Sequence, residues 1–361
     1  MIMNPFTPTF GKPPMFLAGR DKLLDDVISG LENKPGDPNR TTIFIGARGS
    51  GKTVLLSKIA SIASEIGWVS VNVTASSGML YKILEQLRDN AAEFLPVKEK
   101  SRITSIQFYG FGITRESIPQ DKPTWRKSVT EIMKILDEYS IGVLITVDEI
   151  SLYYPEIIDL LSDFQHFIRE DRNVALLMAG LPGNVDQLFQ DKSVSFFRKT
   201  FQRYLEPISI ADVRASMKNT IEISGRTIDT KALDIMAEKT KGFPLMIQLI
   251  GYHVWKQSDR KKIIFEDVKL GLESADEDLE NMILRSTLKE ISKKDMSFIM
   301  AMLEDTGSSQ ISDIAKRMGV SANYAARYRI RLIRAGIITQ TQRGEVEFAI
   351  PMMKDLLIKQ R

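Results

Sequence analysis

The stretch FIGARGSGKTVLL, residues 44–56, decides the fold. Its spacing is G-x-x-x-x-G-K-[ST], with Gly46, Gly51, Lys52 and Thr53 at the fixed positions. The apolar run TTIFIGA precedes it, and a helix-spaced set, Val54, Leu55, Ile59 and Ile62, follows it. Strand, glycine turn and helix in that order are the context in which this spacing builds a phosphate cradle. Glycines let the backbone N–H groups of Gly46, Ala47, Arg48, Gly49, Ser50 and Gly51, and of the first helical residues through Val54, close around phosphate oxygens. The helix N-terminus adds a favourable field. Lys52 is expected to reach the β- and γ-phosphates, and Thr53 to ligate Mg²⁺ through its hydroxyl.

A second element agrees. GVLITVDEI, residues 142–150, is a continuous apolar strand ending in two acids. Asp148 falls at the carboxyl end of that strand, where open α/β sheets bind ligands, and is expected to hold Mg²⁺. Glu149 is placed to orient an attacking water and take its proton. The plainer alternative is a pair of solvated acids at a strand end. Further apolar runs at 67–74 and 173–182, with a short one at 202–209, alternate with helix-spaced segments. Uninterrupted apolar strands alternating with helices imply an α/β parallel sheet covered on both faces.

Four regions follow from the pattern. Residues 1–40 read as an irregular leader and a first helix, and residues 41–209 as the phosphate-loop core. Within the core, residues 96–123 read as an inserted hairpin with an aromatic, glycine-rich tip at Phe108, Tyr109 and Phe111. It suits either a contact hairpin or an edge cover. Residues 210–285 read as helices only, a small lid and a connector, and residues 286–361 as a separate C-terminal domain. No run of about 18 uncharged apolar residues occurs, so no membrane partner is expected. The N-terminus lacks the pattern of a secretory signal. Zero cysteines exclude disulfides and cysteine metal sites, and fit the expected cytoplasmic location. With His166 and His253 the sole histidines, a zinc site is not expected; His253 and Trp255 read as core.

The net charge of +3 is unevenly placed. Residues 286–361 hold 13 Lys/Arg against 8 Asp/Glu, net +5, and the remainder is net −2. An acidic polymer is therefore expected at the C-terminal domain. There, Ile311, Ile314, Ala315 and Met318 make one helix, MGVS a tight turn, and residues 321–335 a second helix. This is a helix-turn-helix. IITQT and EVEFAI, joined at QRGE, make a β-hairpin after it. Ala325, Tyr328, Leu332 and Ile333 fall on a core side of the second helix. Asn323, Tyr324, Arg327, Arg331 and Arg334 fall outward, and Arg343 at the hairpin tip. Arginines at helical spacing suit phosphates and guanine edges of double-stranded DNA. An arginine face is also compatible with simple solvation or with protein contact.

FLAGRDKLL, GARGSGKT, LITVDE, LLMAGLP and GFPLMIQLIGYHVW, in this order, resemble the AAA+-like ATPases of the origin-recognition and archaeal-ATPase type, allied to the STAND ATPases. The resemblance covers roughly residues 10–361 apart from the insert. It implies a P-loop NTPase core, a helical lid and a C-terminal winged helix, with ATP and Mg²⁺ bound between core and lid. It places Gly19 and Arg20 near the adenine and Gly242 and Pro244 over the base; an ordinary helix start is the alternative for the latter pair. Two features depart from the family pattern. The strand VALLMAG ends in Ala179 and Gly180 where a polar γ-phosphate sensor is common, and no arginine is evident in the lid. Both suggest a slow ATPase or a switch. Arg198 and Arg203 are candidate arginine fingers toward a neighbouring subunit, or residues of a solvated basic loop. The expected activity is Mg²⁺-dependent ATP hydrolysis controlling DNA binding or assembly with itself or a protein partner. The alternative is a signalling or defence switch whose winged helix contacts protein.

Overall fold

The computed structural model describes residues 3–9, 11–106, 124–284, 291–350 and 352–359. The chain opens with an extended segment and helix α1 (Asp21–Glu32), then alternates strands and helices. These are β1 (Thr41–Ile45), α2 (Lys52–Glu65), β2 (Val69–Thr74), α3 (Met79–Phe94), α4 (Val97–Thr104), α5 (Trp125–Glu138) and β3 (Val143–Asp148). They continue with α6 (Glu156–Arg169), β4 (Val174–Gly180), α7 (Pro182–Gln190) and β5 (Phe201–Tyr204). The five strands form one parallel sheet in the order β2-β3-β4-β1-β5.

Strand side chains alternate between the two faces, and both faces are buried. Ile43 and Ile45 pack with Val143, Ile145 and Val147 under α3, α5 and α6. Phe44 and Leu144 pack on the opposite side with Leu55 and Ile59 of α2 and Val27 and Leu31 of α1. This burial explains the unbroken apolar runs.

The expected hairpin at 96–123 is corrected over its first part. Residues 97–104 are helical, with Pro96 as N-cap, Arg102 paired to Glu99 at 2.6 Å, and Ile103 in the core. An apolar residue one turn and a half after Val97 and an i,i+3 ion pair are helix signals that the glycines further on obscured. Phe108, Tyr109 and Phe111 lie outside the described residues.

The lid region comprises α8 (Ile210–Ile223), β6 (Thr227–Ile228), α9 (Thr230–Lys239), α10 (Pro244–Lys256), β7 (Lys262–Ile263) and α11 (Phe265–Leu279). The expectation of helices alone is corrected by the two-residue parallel pairing of β6 with β7, which is too short to leave an alternating pattern. His253 lies mostly buried and meets Asp278 at 2.8 Å, and Trp255 is buried under Arg226.

The C-terminal region holds α12 (Lys293–Met302), β8 (Ser309–Gln310), α13 (Ile311–Arg317), α14 (Ala322–Arg334), β9 (Ile338–Gln342), β10 (Glu345–Phe348) and α15 (Met353–Lys359). β8, β10 and β9 form an antiparallel sheet in that order. Lid and C-terminal region share one continuous apolar core, running from Val213 and Met236 through Leu279 to Phe298, Leu332 and Leu357. Lys241–Asp355 and Lys359–Asp276 ion pairs join the same two regions at 2.7 and 2.6 Å.

Candidate nucleotide site

β1 ends at Ile45 and α2 begins at Lys52, so residues 46–51 are the loop between them. Gly49 and Gly51 hold φ of 81° and 89°, the left-handed region that other residues enter at a cost. Close approach also demands glycine at position 49, where a Cβ would lie 2.7 Å from the ring of Phe243 in the lid. Pro244 packs over Gly51, and the Leu245 N–H donates to the Gly49 carbonyl at 3.4 Å. The start of α10 thus presses directly on the loop.

Lys52 is buried and folds back, its Nζ donating to the carbonyls of Gly46 at 2.9 Å and Ala47 at 2.8 Å. Burial lowers its pKa to about 8, against the opposing pull of Asp148 and Glu149. The Thr53 hydroxyl donates to the Asp148 carboxylate. These two hard oxygen ligands, one from each motif, are thus already side by side, which suits Mg²⁺. The other Asp148 oxygen accepts the Glu149 N–H at 2.8 Å. Glu149 holds φ of 54°, a left-handed backbone on a residue that is not glycine.

These groups open into a cavity of about 650 Å³, large enough for a nucleotide. Of the sequence-derived candidates, Arg20, Arg48, Gly49, Ser50, Gly51, Lys52, Thr53, Val54, Asp148, Glu149 and Pro244 line it. Gly46 and Ala47 lie behind, holding Lys52, with the Gly46 N–H donating to Gly180 at 3.3 Å. Arg20 donates to the Glu206 carbonyl at 2.7 Å, and burial lowers its pKa despite Glu206. Gly19 abuts Ile208 and Asp212. Gly242 does not line the cavity. A Cβ there would lie 2.2 Å from the Ile208 carbonyl oxygen, so it joins lid to core by backbone contact.

Arg198 donates from Nε to the Phe189 carbonyl at 2.6 Å, and Arg203 reaches Asp26 and Asn39 of its own chain at 3.2 and 3.1 Å. Neither lines the cavity. Asn323, Tyr324, Arg327, Arg331, Arg334 and Arg343 are exposed on α14 and at the β9–β10 turn. Arg331 pairs with Asp295 at 2.7 Å, and Tyr328 lies at the rim of the core, donating its hydroxyl to Tyr324. Ile333 meets α7, where a Cβ on Gly183 would lie 3.2 Å from its Cγ2 and 3.3 Å from the Arg334 backbone.

Several lining residues left no sequence signal. Thr7, Thr9, Gly11, Lys12 and Phe16 come from the leader, and Asn184 from α7. Met282 comes from the connector, and Ile350 from the segment after β10. Each reaches the cavity by long-range docking, which no local spacing records.

A family model described as "Domain of unknown function (DUF8462)" matches residues 281–357. No curated protein matches the chain. Among solved structures, the chain is similar to the ORC2 protein of Aeropyrum pernix in ADPNP-ADP complexes. The TM-score is 0.59 at 14% identity, over 98% of this chain and 95% of the other. The ADP form of that protein matches with a TM-score of 0.53 at 13% identity, with the same coverage. CDC6P from Pyrobaculum aerophilum matches with a TM-score of 0.50 at 15% identity, over 98% and 96% of the two chains. The fold is the AAA+ fold of the origin-recognition type. That fold runs over nearly the whole chain, and it puts the cavity between the parallel sheet and the lid.

Proposed function

We propose that this AAA+ protein binds ATP with Mg²⁺ in the cavity, hydrolyses it slowly, and uses the nucleotide state to control DNA binding or assembly through a C-terminal winged helix. In this reading the chain divides into a leader and first helix over 1–40, a core over 41–209, a lid and connector over 210–285 and a winged helix over 286–361. The observation that carries the proposal is one shared cavity. Its floor is the phosphate loop with Thr53, Asp148 and Glu149, and its wall includes Ile350, two residues after β10. This shared lining supports a coupling between bound nucleotide and the C-terminal domain.

Thr53 and Asp148 would hold the Mg²⁺, which neutralises phosphate charge when bound. Lys52 would exchange its two carbonyl partners for phosphate oxygens. Glu149, beside the Thr53–Asp148 contact, is the group placed to take a proton from water. On α14, Arg327 and Arg334 are exposed and Arg331 is half-exposed, which supports duplex contact. A second reading, a signalling or defence switch, draws support from the packing of α14 on α7, since that helix already makes a protein contact.

ATP turnover of the full chain, with and without duplex DNA, tests the proposal beside Glu149→Gln. Turnover that DNA changes and the variant loses supports it, as does duplex affinity that falls steeply with salt. Tight ATP binding with turnover indifferent to DNA favours the switch. Absence of nucleotide binding overturns both.

A further inference from the structure

The leader is a strap that lines the cavity with Thr7, Pro8, Thr9, Gly11 and Lys12. At one end it is latched to the lid. Phe6, 2% exposed, seats on Gly251 of α10 so closely that a Cβ there would lie 2.2 Å from the ring. Asn4 donates to the Tyr252 carbonyl at 3.0 Å, and the Thr7 N–H donates to Gln248 at 3.1 Å. At the other end the strap reaches the phosphate side. Gly11 turns through a left-handed φ of 75°, and its Cβ position lies 3.9 Å from the Thr53 methyl. Pro8, Pro13 and Pro14 stiffen the path between and after these points.

Lys12, the next residue after Gly11, lines the same cavity as Thr53 and is exposed. It makes no ion pair among the described residues. The charge arrangement gives it a task. The lid contributes Pro244, Leu245, Ile247 and Gln248 to the cavity, none of them charged, and β4 contributes Gly180. Of the other lining cations, Lys52 sits under the loop and Arg20 is engaged by Glu206. That leaves Lys12 and Arg48 as the lining cations that could meet a terminal phosphate in the cavity that holds Thr53 and Asp148.

We propose that Lys12 is a phosphate-binding residue, presented by a lid-latched strap to the terminal phosphate of a bound nucleoside triphosphate. The inference rests on the ATP-binding reading and adds to it a group that tells triphosphate from diphosphate. A charge-assisted contact made with one and not the other separates their affinities.

Equilibrium binding of ADP and of a non-hydrolysable ATP analogue to the full-length chain tests it, in wild type, Lys12→Ala and Lys12→Arg. Lys12→Ala is expected to weaken the triphosphate analogue by roughly tenfold and ADP by less than about twofold, with Lys12→Arg restoring most of the loss. Lys12 is exposed, so the variants fold. Equal losses for both nucleotides, or no loss for either, overturn the proposal while leaving ATP binding intact. A wild-type chain that binds neither nucleotide overturns the ATP reading and this proposal together.

Discussion

Glu149 is the residue at which chemistry and backbone conformation conflict. Its φ of 54° is the left-handed value that costs a side-chain-bearing residue roughly 1–2 kcal/mol. Nothing in a strand end requires it, and it lines the cavity. Such outliers persist where geometry serves a site. Glu149→Gly should relieve the strain at the cost of glycine's extra unfolded-state freedom, a net gain of about 0.5–1 kcal/mol. Thermal unfolding should show a higher Tm for Glu149→Gly and not for Glu149→Gln, with turnover lost in both. A lower Tm for the glycine variant would mean that the carboxylate stabilises the fold. Lys52 supplies the pH dependence at the same scale. Its folded pKa of about 8 lies below its ordinary 10.5, chiefly through burial. Between those two values the unfolded chain binds more protons, so this group's contribution to the stability of the free protein rises with pH. Phosphate prefers the charged ammonium, so binding runs the other way. Nucleotide affinity should fall about tenfold between roughly pH 7 and 9, with proton uptake on binding measurable by calorimetry in buffers of different ionisation heat.

At the scale of elements, the informative contact is the seam between α7 and α14. α7 starts two residues after β4 ends beside the phosphate loop, and α14 carries the arginine face. Gly183 lets the two backbones approach. Gly183→Leu would force them apart at an overpacking cost of about 1–3 kcal/mol, which undocking relieves. Gly183 itself does not line the cavity, and on α14 it meets Ile333 and the backbone of Arg334, not the arginine side chains. Nucleotide release from Gly183→Leu should be several-fold faster in stopped flow, and duplex affinity several-fold tighter, because the docked form is the one being disfavoured. Unchanged rates would show that the seam is passive. The same seam marks the limit of what helix periodicity could convey. Ala325 and Leu332 are buried as their spacing implies, whereas Ile333, on the flank of that stripe, packs toward another region of the chain. A helical wheel shows which face is apolar; it does not show which of two neighbours that face will meet.

For the molecule as a whole, legibility in the sequence follows the range of the interactions. The sheet was readable because both faces of every central strand are buried, and burial writes continuous apolar runs into β1, β3 and β4. The phosphate loop and the Asp148–Glu149 pair were readable because their chemistry needs adjacent residues. The strap was not, since the Thr7–Gln248 bond spans 241 positions and proline-rich sequence specifies extension without a destination. Ile350 and Met282 were silent for the same reason. The shared core between the lid and the C-terminal region has a practical result. The matched family segment begins at residue 281, just beyond Leu279, within that core. A fragment cut there would part Phe298, Leu356 and Leu357 from the lid members of the same apolar core and present an apolar flank to water. Such a piece invites self-association, and any affinity measured on it would include that stickiness, so the intact chain is the proper unit for testing whether its C-terminal arginines bind a partner.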